Sequence, residues 1–448
     1  MSHVPLLPLP RRAARFAPVL PLVAVVALLG LPVAGDGAQP ADAVSALVVG
    51  YCVILLLRER RRPLSPRAAV VLGLPVAGLA VAAMGAASPA AGLGGMARYL
   101  QVFVLVPAAV LVLLRGRADF RLLAWSFVGL ALWQGALGVH QYVTGTGASY
   151  QGETVRAVGT FGAQDVMGMA TAVALGVVCA TGLALGRTPS WQRAVAAGCA
   201  VVLLVPLAVS FSRGAWIATA LTCTVQLTLA GLRRALKAGA AVVAAGVILV
   251  GGFGVGSAML QERIDSITQV ADAPDHSVVD RYTLWASAVG MWREQPLTGV
   301  GLKNFPEYRD GHATLALSSG SDIEGAGETF HKQALLSPHS MYLLVLSEQG
   351  LLGFCSLVGS WLALLVCAVR ALARARRDGA GLDCALIACG LLLWQLVDYV
   401  YGDIGGPSTV LTGVALGLTA WWGLTERASA DTARQGTLPG RVEEAVAR

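Results

Sequence analysis

Apolar runs about one bilayer long recur along this chain, and they constrain its fold more than any other feature. In a hydrocarbon core the backbone must satisfy its own hydrogen bonds, which only α-helices and closed barrels do. Runs of about 20 apolar residues read as helical spans. Twelve are legible, at 16–34, 41–57, 68–87, 99–114, 122–143, 165–186, 194–211, 215–232, 238–257, 345–369, 382–403 and 407–424. The expectation is an all-α polytopic membrane protein. Charged residues make up 13% of the chain, against about 25% in soluble domains, which excludes a soluble globular class. The basic N-terminus (Arg11, Arg12, Arg15) leads into the first run without a small-residue cleavage site, so that run reads as a membrane helix and not a removable signal.

Orientation follows from Lys and Arg. With the N-terminus inside, cytoplasmic segments hold 24 of the 33 basic residues, and both termini lie inside. The net charge of +7 then anchors topology and faces anionic membrane lipids; no nucleic acid is implied. The chain divides into N-terminal spans over 1–257, an extracytoplasmic loop over 258–344, C-terminal spans over 345–424 and a cytoplasmic tail over 425–448. A smaller outer loop covers 144–164. The eight cysteines all lie in apolar stretches without zinc-site spacing and read as small buried hydrophobes. No internal repeat is evident.

Nine basic residues fall outside, where topology does not explain them: Arg98, Arg156, Arg213, Arg263, Arg281, Arg293, Lys303, Arg309 and Lys332. Arg213 lies in "VSFSRGAW" (209–216), between two spans with no loop to spare, where a buried arginine costs roughly 2.5–3.5 kcal/mol on insertion scales. Asp280-Arg281 opens "DRYTLWASAVGMWREQPLTGVGLKNF" (280–305). This reads as a short helix capped by Ser277 or Asp280. It carries Tyr282, Trp285, Val289 and Trp292 on one face, either at the membrane interface or against the bundle. Pro296 ends it, and Gly299 and Gly301 loosen the chain beyond. Re-entry occurs at "SPHSMYLLVLSEQGLLGF" (337–354), which offers His339, Ser340, Tyr342 and Glu348.

Guanidinium grips phosphate with two parallel hydrogen bonds, and histidine is suited to moving a proton near neutral pH. Two arginines and a histidine at the outer lipid boundary therefore suit a lipid-linked diphosphate. Each residue also has a structural alternative. Arg213 could snorkel to the headgroups, Arg281 could pair with Asp280, His339 could be an interfacial ring, and Glu348 could hydrogen-bond within the bundle. His140, His312 and His331 read as surface or structural residues. "DAPDH" (272–276) is a weak metal candidate.

These three stretches resemble the O-antigen ligase and O-antigen polymerase superfamily of bacterial membrane glycosyltransferases. The likeness covers about 205–355, with a weaker match in "RAVGTFGAQDVMGMA" (156–170). There Gln164-Asp165 stands where the family usually has Asn after Pro, and Ser340 follows His339 where Asn is also common. The resemblance implies transfer of a glycan from an undecaprenyl-diphosphate-linked donor to a glycan, lipid or protein acceptor, with no cofactor and generally no metal. It places the site on the outer face of the cytoplasmic (inner) membrane. By motif, Arg213 and Arg281 would bind the diphosphate and His339 would be the base, with Ser212, Tyr342, Glu348 and Arg156 also contacting substrate. The single displacement would invert the anomeric carbon.

A transporter or flippase of lipid-linked sugars would share many helices and outer arginines. It would also be expected to carry paired repeats and charges at mid-membrane, whereas the deep acids here, Asp398 and Asp403, lie toward one outer end. A peptidoglycan polymerase-like enzyme would be expected to use a catalytic Asp in the outer loop. Because no compact Asp/Glu/His cluster with ligand spacing occurs at the outer mouth, transfer by the purified protein is expected to survive EDTA. Complete loss restored by Mn²⁺ or Mg²⁺ would implicate "DAPDH" instead.

Overall fold

The computed structural model describes residues 16–32, 40–59, 64–150, 155–163, 165, 167–231, 276–314, 317–325, 328–406 and 408–425. The expected span at 238–257, most of "DAPDH" and nearly all of the 425–448 tail lie outside these residues. Seven helical stretches among them are long and apolar enough to cross a membrane: Pro40–Arg58, Pro66–Met84, Pro89–Leu113, Arg117–Thr144, Gly168–Leu185, Ser190–Val209 and Met341–Asp378. Thr409–Leu424 is apolar but shorter. The chain is thus an all-α multi-pass membrane protein.

In chain order the helices are α1 (Leu20–Leu28), α2 (Pro40–Glu59), α3 (Pro66–Met84), α4 (Pro89–Leu100) and α5 (Val106–Leu113), the last two joined by a π-turn at Gln101–Leu105. Then come α6 (Arg117–Thr144), α7 (Gly168–Leu185), α8 (Ser190–Val202), α9 (Leu204–Val209) and α10 (Arg213–Ala230). The loop region holds α11 (His276–Glu294) and α12 (Phe305–His312), and the chain closes with α13 (Met341–Asp378), α14 (Leu382–Asp398) and α15 (Thr409–Leu424). Helix α7 is buried along almost its whole length, as are α14 and α15. Helices α2 and α8 turn Leu47, Ile54, Leu57, Val195 and Val202 outward, the apolar faces expected toward lipid.

The fourth span begins ten residues before the expected 99–114. Ser88 caps its start and Pro89 occupies the first turn. Arg98, counted as a loop residue, lies inside this helix, where Asp42 pairs with it. An ionised residue inside a span is tolerated when it is paired in this way.

The sequence reading holds no strand, yet three short ones form. β1 (Ala148–Tyr150), β2 (Ser321–Gly325) and β3 (Glu328–Gln333) make an antiparallel sheet in that order. Ala148 faces Gly325 and Tyr150 faces Ile323, so the small loop and the large one are stitched together at one end of the bundle. Strands of three to six residues give too little alternation to be seen against an apolar background.

Helix α13 is broken at Gly350, whose φ of 60° and ψ of −164° are not helical. An unbroken helix would bond the Leu351 and Leu352 N–H groups to the Ser347 and Glu348 carbonyls. Here Leu351 N–H donates to Pro296 O (2.8 Å) and Leu352 N–H to Leu297 O (3.1 Å). The freed Ser347 and Glu348 carbonyls accept from Val300 (2.9 Å) and Gly301 (3.0 Å). The PLTGVG turn is therefore wedged into the helix and repairs both missing bonds. The expectation that Gly299 and Gly301 loosen the chain is wrong. A Cβ on Gly299 would lie 2.4 Å from the Glu348 carbonyl carbon, and one on Gly301 2.1 Å from Gly85 O.

Gly350 occupies a backbone region that is essentially restricted to glycine, and a Cβ there would lie 2.4 Å from the Leu297 carbonyl carbon. Gly350→Ala is therefore expected to destabilise by roughly 1–3 kcal/mol from backbone strain alone, read as a lower Tm and folded yield in detergent. Gly73→Ala, which meets nothing within 4 Å, should leave both unchanged or slightly raised.

Candidate functional site

Arg213 is set by a tight hairpin. Helix α9 ends at Val209 and α10 starts at Arg213, with Ser212 as its cap. The Ser212 hydroxyl accepts from Ala215 N–H (3.3 Å) and donates to Met167 Sδ (3.5 Å). Trp216 Nε1 ties back to Leu207 O (2.6 Å), and Phe211 turns the chain at φ 51°. Arg213 thus stands at the first residue of an 18-residue helix, the positive end of its dipole. Basic side chains are disfavoured there unless an anion comes to meet them.

Arg281 is set by α11. The buried face of that helix is Leu284, Ala288 and Met291, packed on Val300, Phe305, Leu335 and Leu344. Asp280 does not act as the expected cap. Asp280 lies within the helix, buried, and accepts from Ser318 N–H (2.8 Å) and Oγ (2.5 Å). Its carboxylate is therefore engaged with Ser318 and not with Arg281. Trp285, one turn from Arg281, donates to Pro338 O (2.9 Å) and lies 6.3 Å from the Tyr401 ring. The aromatic stripe is thus split: Trp285 braces the bundle, whereas Tyr282 is 63% exposed.

His339 immediately precedes Ser340, the cap residue of α13, in a left-handed conformation (φ 49°). Its N–H donates to Ser337 Oγ (3.4 Å), and the Ser337 hydroxyl donates in turn to Asp403. The Met341 N–H is taken by Tyr399 O (3.0 Å) and Gly402 O (2.9 Å). The segment after α14 therefore holds the His339 turn from behind. Tyr401 also closes on Gly214, its Cβ 3.5 Å from where a Gly214 Cβ would stand.

The electrostatics bring these groups together. Burial lowers the Arg281 pKa; Tyr401 acts against this, and the Arg213 charge lowers it further. Arg281 Nε is buried with no hydrogen-bond partner among the described residues. Two guanidiniums within repulsive range, one with a buried unmet donor, form a site shaped for an anion. The His339 ring is reachable by solvent yet closely surrounded. Its pKa is lowered by that crowding first; Asp403 raises it, and Arg281 lowers it again. Crowding thus favours the neutral ring, while the Asp403 charge favours the imidazolium.

The remaining predicted residues make contacts of their own. Arg156 is linked through its backbone, bridging Ala148 at 3.0 and 2.8 Å, while its neighbour Ala157 donates to Val209 O (3.4 Å) beside the Arg213 hairpin. Ser212 is a helix cap. The Tyr342 hydroxyl donates to Leu396 O (2.7 Å). Glu348 is buried, and its Oε1 accepts from Phe305 N–H (3.2 Å), the structural alternative given for it above. Its other oxygen finds no partner among the described residues. Asp403 and Tyr401 were not selected from the sequence as site residues. The signal available was an acid in "YGDIGG" (401–406) just beyond a span, and it drew notice only as a transporter candidate.

Residues 197–358 match the family model described as O-antigen ligase. The match contains Arg213, Arg281, His339 and the break at Gly350, and it bears out the resemblance carried by the three motifs. This part of the chain is similar to the O-antigen ligase family. No curated protein matches the chain.

If Asp403 acts on His339 through its charge, Asp403→Asn should move the His339 titration midpoint further below the ordinary 6.5. NMR of histidine-labelled protein, with His339→Gln to assign the resonance, measures this. An unchanged midpoint would leave Asp403 as only a brace for Ser337.

Proposed function

We propose that this site moves a glycan from an undecaprenyl-diphosphate-linked donor to an acceptor hydroxyl on the outer face of the cytoplasmic membrane. The observation that carries the reading is the convergence of Arg213, Arg281 and His339 from three separate segments of the matched region. Arg213 and Arg281 hold the diphosphate and neutralise its charge as the glycosidic C1–O bond breaks. His339 accepts the proton of the acceptor hydroxyl while its oxygen bonds to C1 from the opposite side. Undecaprenyl diphosphate departs, and the anomeric configuration inverts. Asp403 stabilises the imidazolium formed in that step. The acceptor is a glycan, a lipid or a protein.

The lowered His339 pKa fixes the pH dependence. A base works when neutral, so transfer is held above that pKa and falls as pH drops through it, below the ordinary 6.5. Single-turnover transfer with a purified lipid-linked donor, alongside donor affinity, tests the assignment. His339→Ala should lower turnover by about 10²-fold or more, the lower end of the usual range for general-base catalysis, with donor binding retained. Arg213→Ala and Arg281→Ala should weaken donor binding as well, and Lys should rescue either one poorly, because it lacks the two-point fork. Wild-type transfer by His339→Ala would overturn the base assignment, and donor binding without any transfer would overturn the enzyme reading.

A further inference from the structure

The bundle carries a second arginine cluster, at the end opposite to Arg213, Arg281 and His339. Four helices fix that placement. Helix α6 runs from Arg117 to Thr144, beside β1; α7 runs from Gly168, beside the Ser212 contact, to Leu185. Helix α13 leaves His339 and ends at Asp378, and α14 returns from Leu382 to the Tyr399–Asp403 segment. Between their far ends lies a cavity of about 620 Å³, lined by Arg115, Arg117, Arg121, Arg187, Asp119 and Asp383, among others.

Four guanidiniums face two carboxylates there, a formal excess of two positive charges. The carboxylates are engaged. Asp383 takes Arg121 through Nε (2.5 Å) and Nη2 (3.1 Å). Asp119 accepts the Arg115 N–H (3.0 Å) and lies 3.6 Å from its Nε. Arg187 Nη1 donates to Gly379 O (3.1 Å), and Arg117 is only 7% exposed. Helices α6 and α14 both start at this cavity behind glycine caps, Gly116 and Gly381, which supply no side-chain acceptor. Their positive dipole ends add to the field. The wall is built around the arginines: a Cβ on Gly379 would lie 2.5 Å from Arg187 Nη1, and one on Gly381 3.3 Å from Arg117 Nη1.

Anchoring of topology needs only exposed basic residues near the helix ends, and Arg370, Arg374, Arg376 and Arg377 supply these on α13. It does not need a cavity lined by four guanidiniums. We infer that this cavity is a binding site for a phosphate group, carried by the headgroup of an acidic phospholipid or by a soluble phosphate. Guanidinium forks match phosphate oxygens in pairs, and the cavity lies where α6 and α14 begin and α7 and α13 end. A bound phosphate would tie the start of α6, the end of α7 and the α13–α14 turn to one another.

Native mass spectrometry of the full chain in detergent tests this, with Arg213→Ala/Arg281→Ala carried in every protein compared so that the other arginine cluster does not contribute, and with three ligands titrated separately: phosphatidylglycerol, phosphatidylcholine and inorganic pyrophosphate. Phosphatidylglycerol or pyrophosphate should bind this background at least tenfold more tightly than the same background with Arg115→Gln/Arg187→Gln, about 1.4 kcal/mol. Whichever binds identifies the source, and phosphatidylcholine should not distinguish the proteins. Ala380→Glu, which puts a carboxylate on the lining without removing an arginine, should weaken binding similarly and serves if the double variant folds poorly. Equal binding by the background and by Ala380→Glu made in it, or no binding of either anion, would overturn the inference.

Discussion

The site depends on a helix that does not continue. At Gly350 the i→i−4 ladder of α13 is interrupted, and the PLTGVG turn takes up the four backbone groups so released. Each of these groups, left unpaired in hydrocarbon, would cost several kcal/mol. The turn and the break therefore require each other. The next residues extend the repair outward. Leu302 N–H bonds to Ala82 O (3.0 Å), and Asn304 Nδ2 bonds to Gly85 O (3.0 Å) at the end of α3. Phe305 N–H then reaches the Glu348 carboxylate. Helix α11, which carries Arg281, is consequently held at its C-terminal end by the turn and nearer its start by the Trp285 bond to Pro338 O.

The same connection gives His339 and Arg213 their places. Trp285 on α11 holds Pro338, the Asp403–Ser337 contact holds the turn from the α14 side, and Tyr401 lies between Trp285 and Gly214. Three non-glycine residues with positive φ, Phe211, Lys303 and His339, stand at the turns of these segments. Such a conformation costs roughly 1–2 kcal/mol per residue and persists only where surrounding contacts over-determine it. Phe211 stands two residues before Arg213, and His339 is itself a member of the cluster. The backbone thus accepts strain at the points where the site's charges are delivered.

How much of this was legible follows from the kind of signal each feature leaves. Long apolar runs are strong signals, and the spans from Pro40 to Leu185 were readable within a few residues, apart from the early start at Pro89. Arg213 and Arg281 stood out because topology gives no reason for charge there, and His339 because it sits where the chain re-enters the apolar spans, in a side chain suited to moving a proton. Glycines 299, 301 and 350 were visible, but a glycine that loosens a chain and one that permits a close crossing look alike until the partner backbone is known. The Asp280–Ser318 bond and the β1–β2 pairing join residues far apart in the chain and leave no local periodicity. Asp403 escaped for the same reason: its relation to His339 runs through Ser337, 66 residues away from it.

The two arginine clusters show how one side chain serves different ends of a bundle. Near Arg281 the like charge of Arg213 is felt, burial lowers the pKa, and a guanidinium nitrogen has no partner among the described residues. Around Asp383, by contrast, carboxylates fix Arg121 and Arg115 before any ligand arrives. An arginine fixed by an acid can bind through its remaining donors with little reorganisation, but its charge is already partly cancelled. One held against a like charge gains most when an anion enters and most resists losing it. The first arrangement suits a ligand that stays as part of the structure. The second suits a group whose negative charge grows during a reaction, since the repulsion is relieved in step with the developing charge. The proposed chemistry is therefore better housed at Arg213 and Arg281, although the arginine-lined cavity lies at the other end.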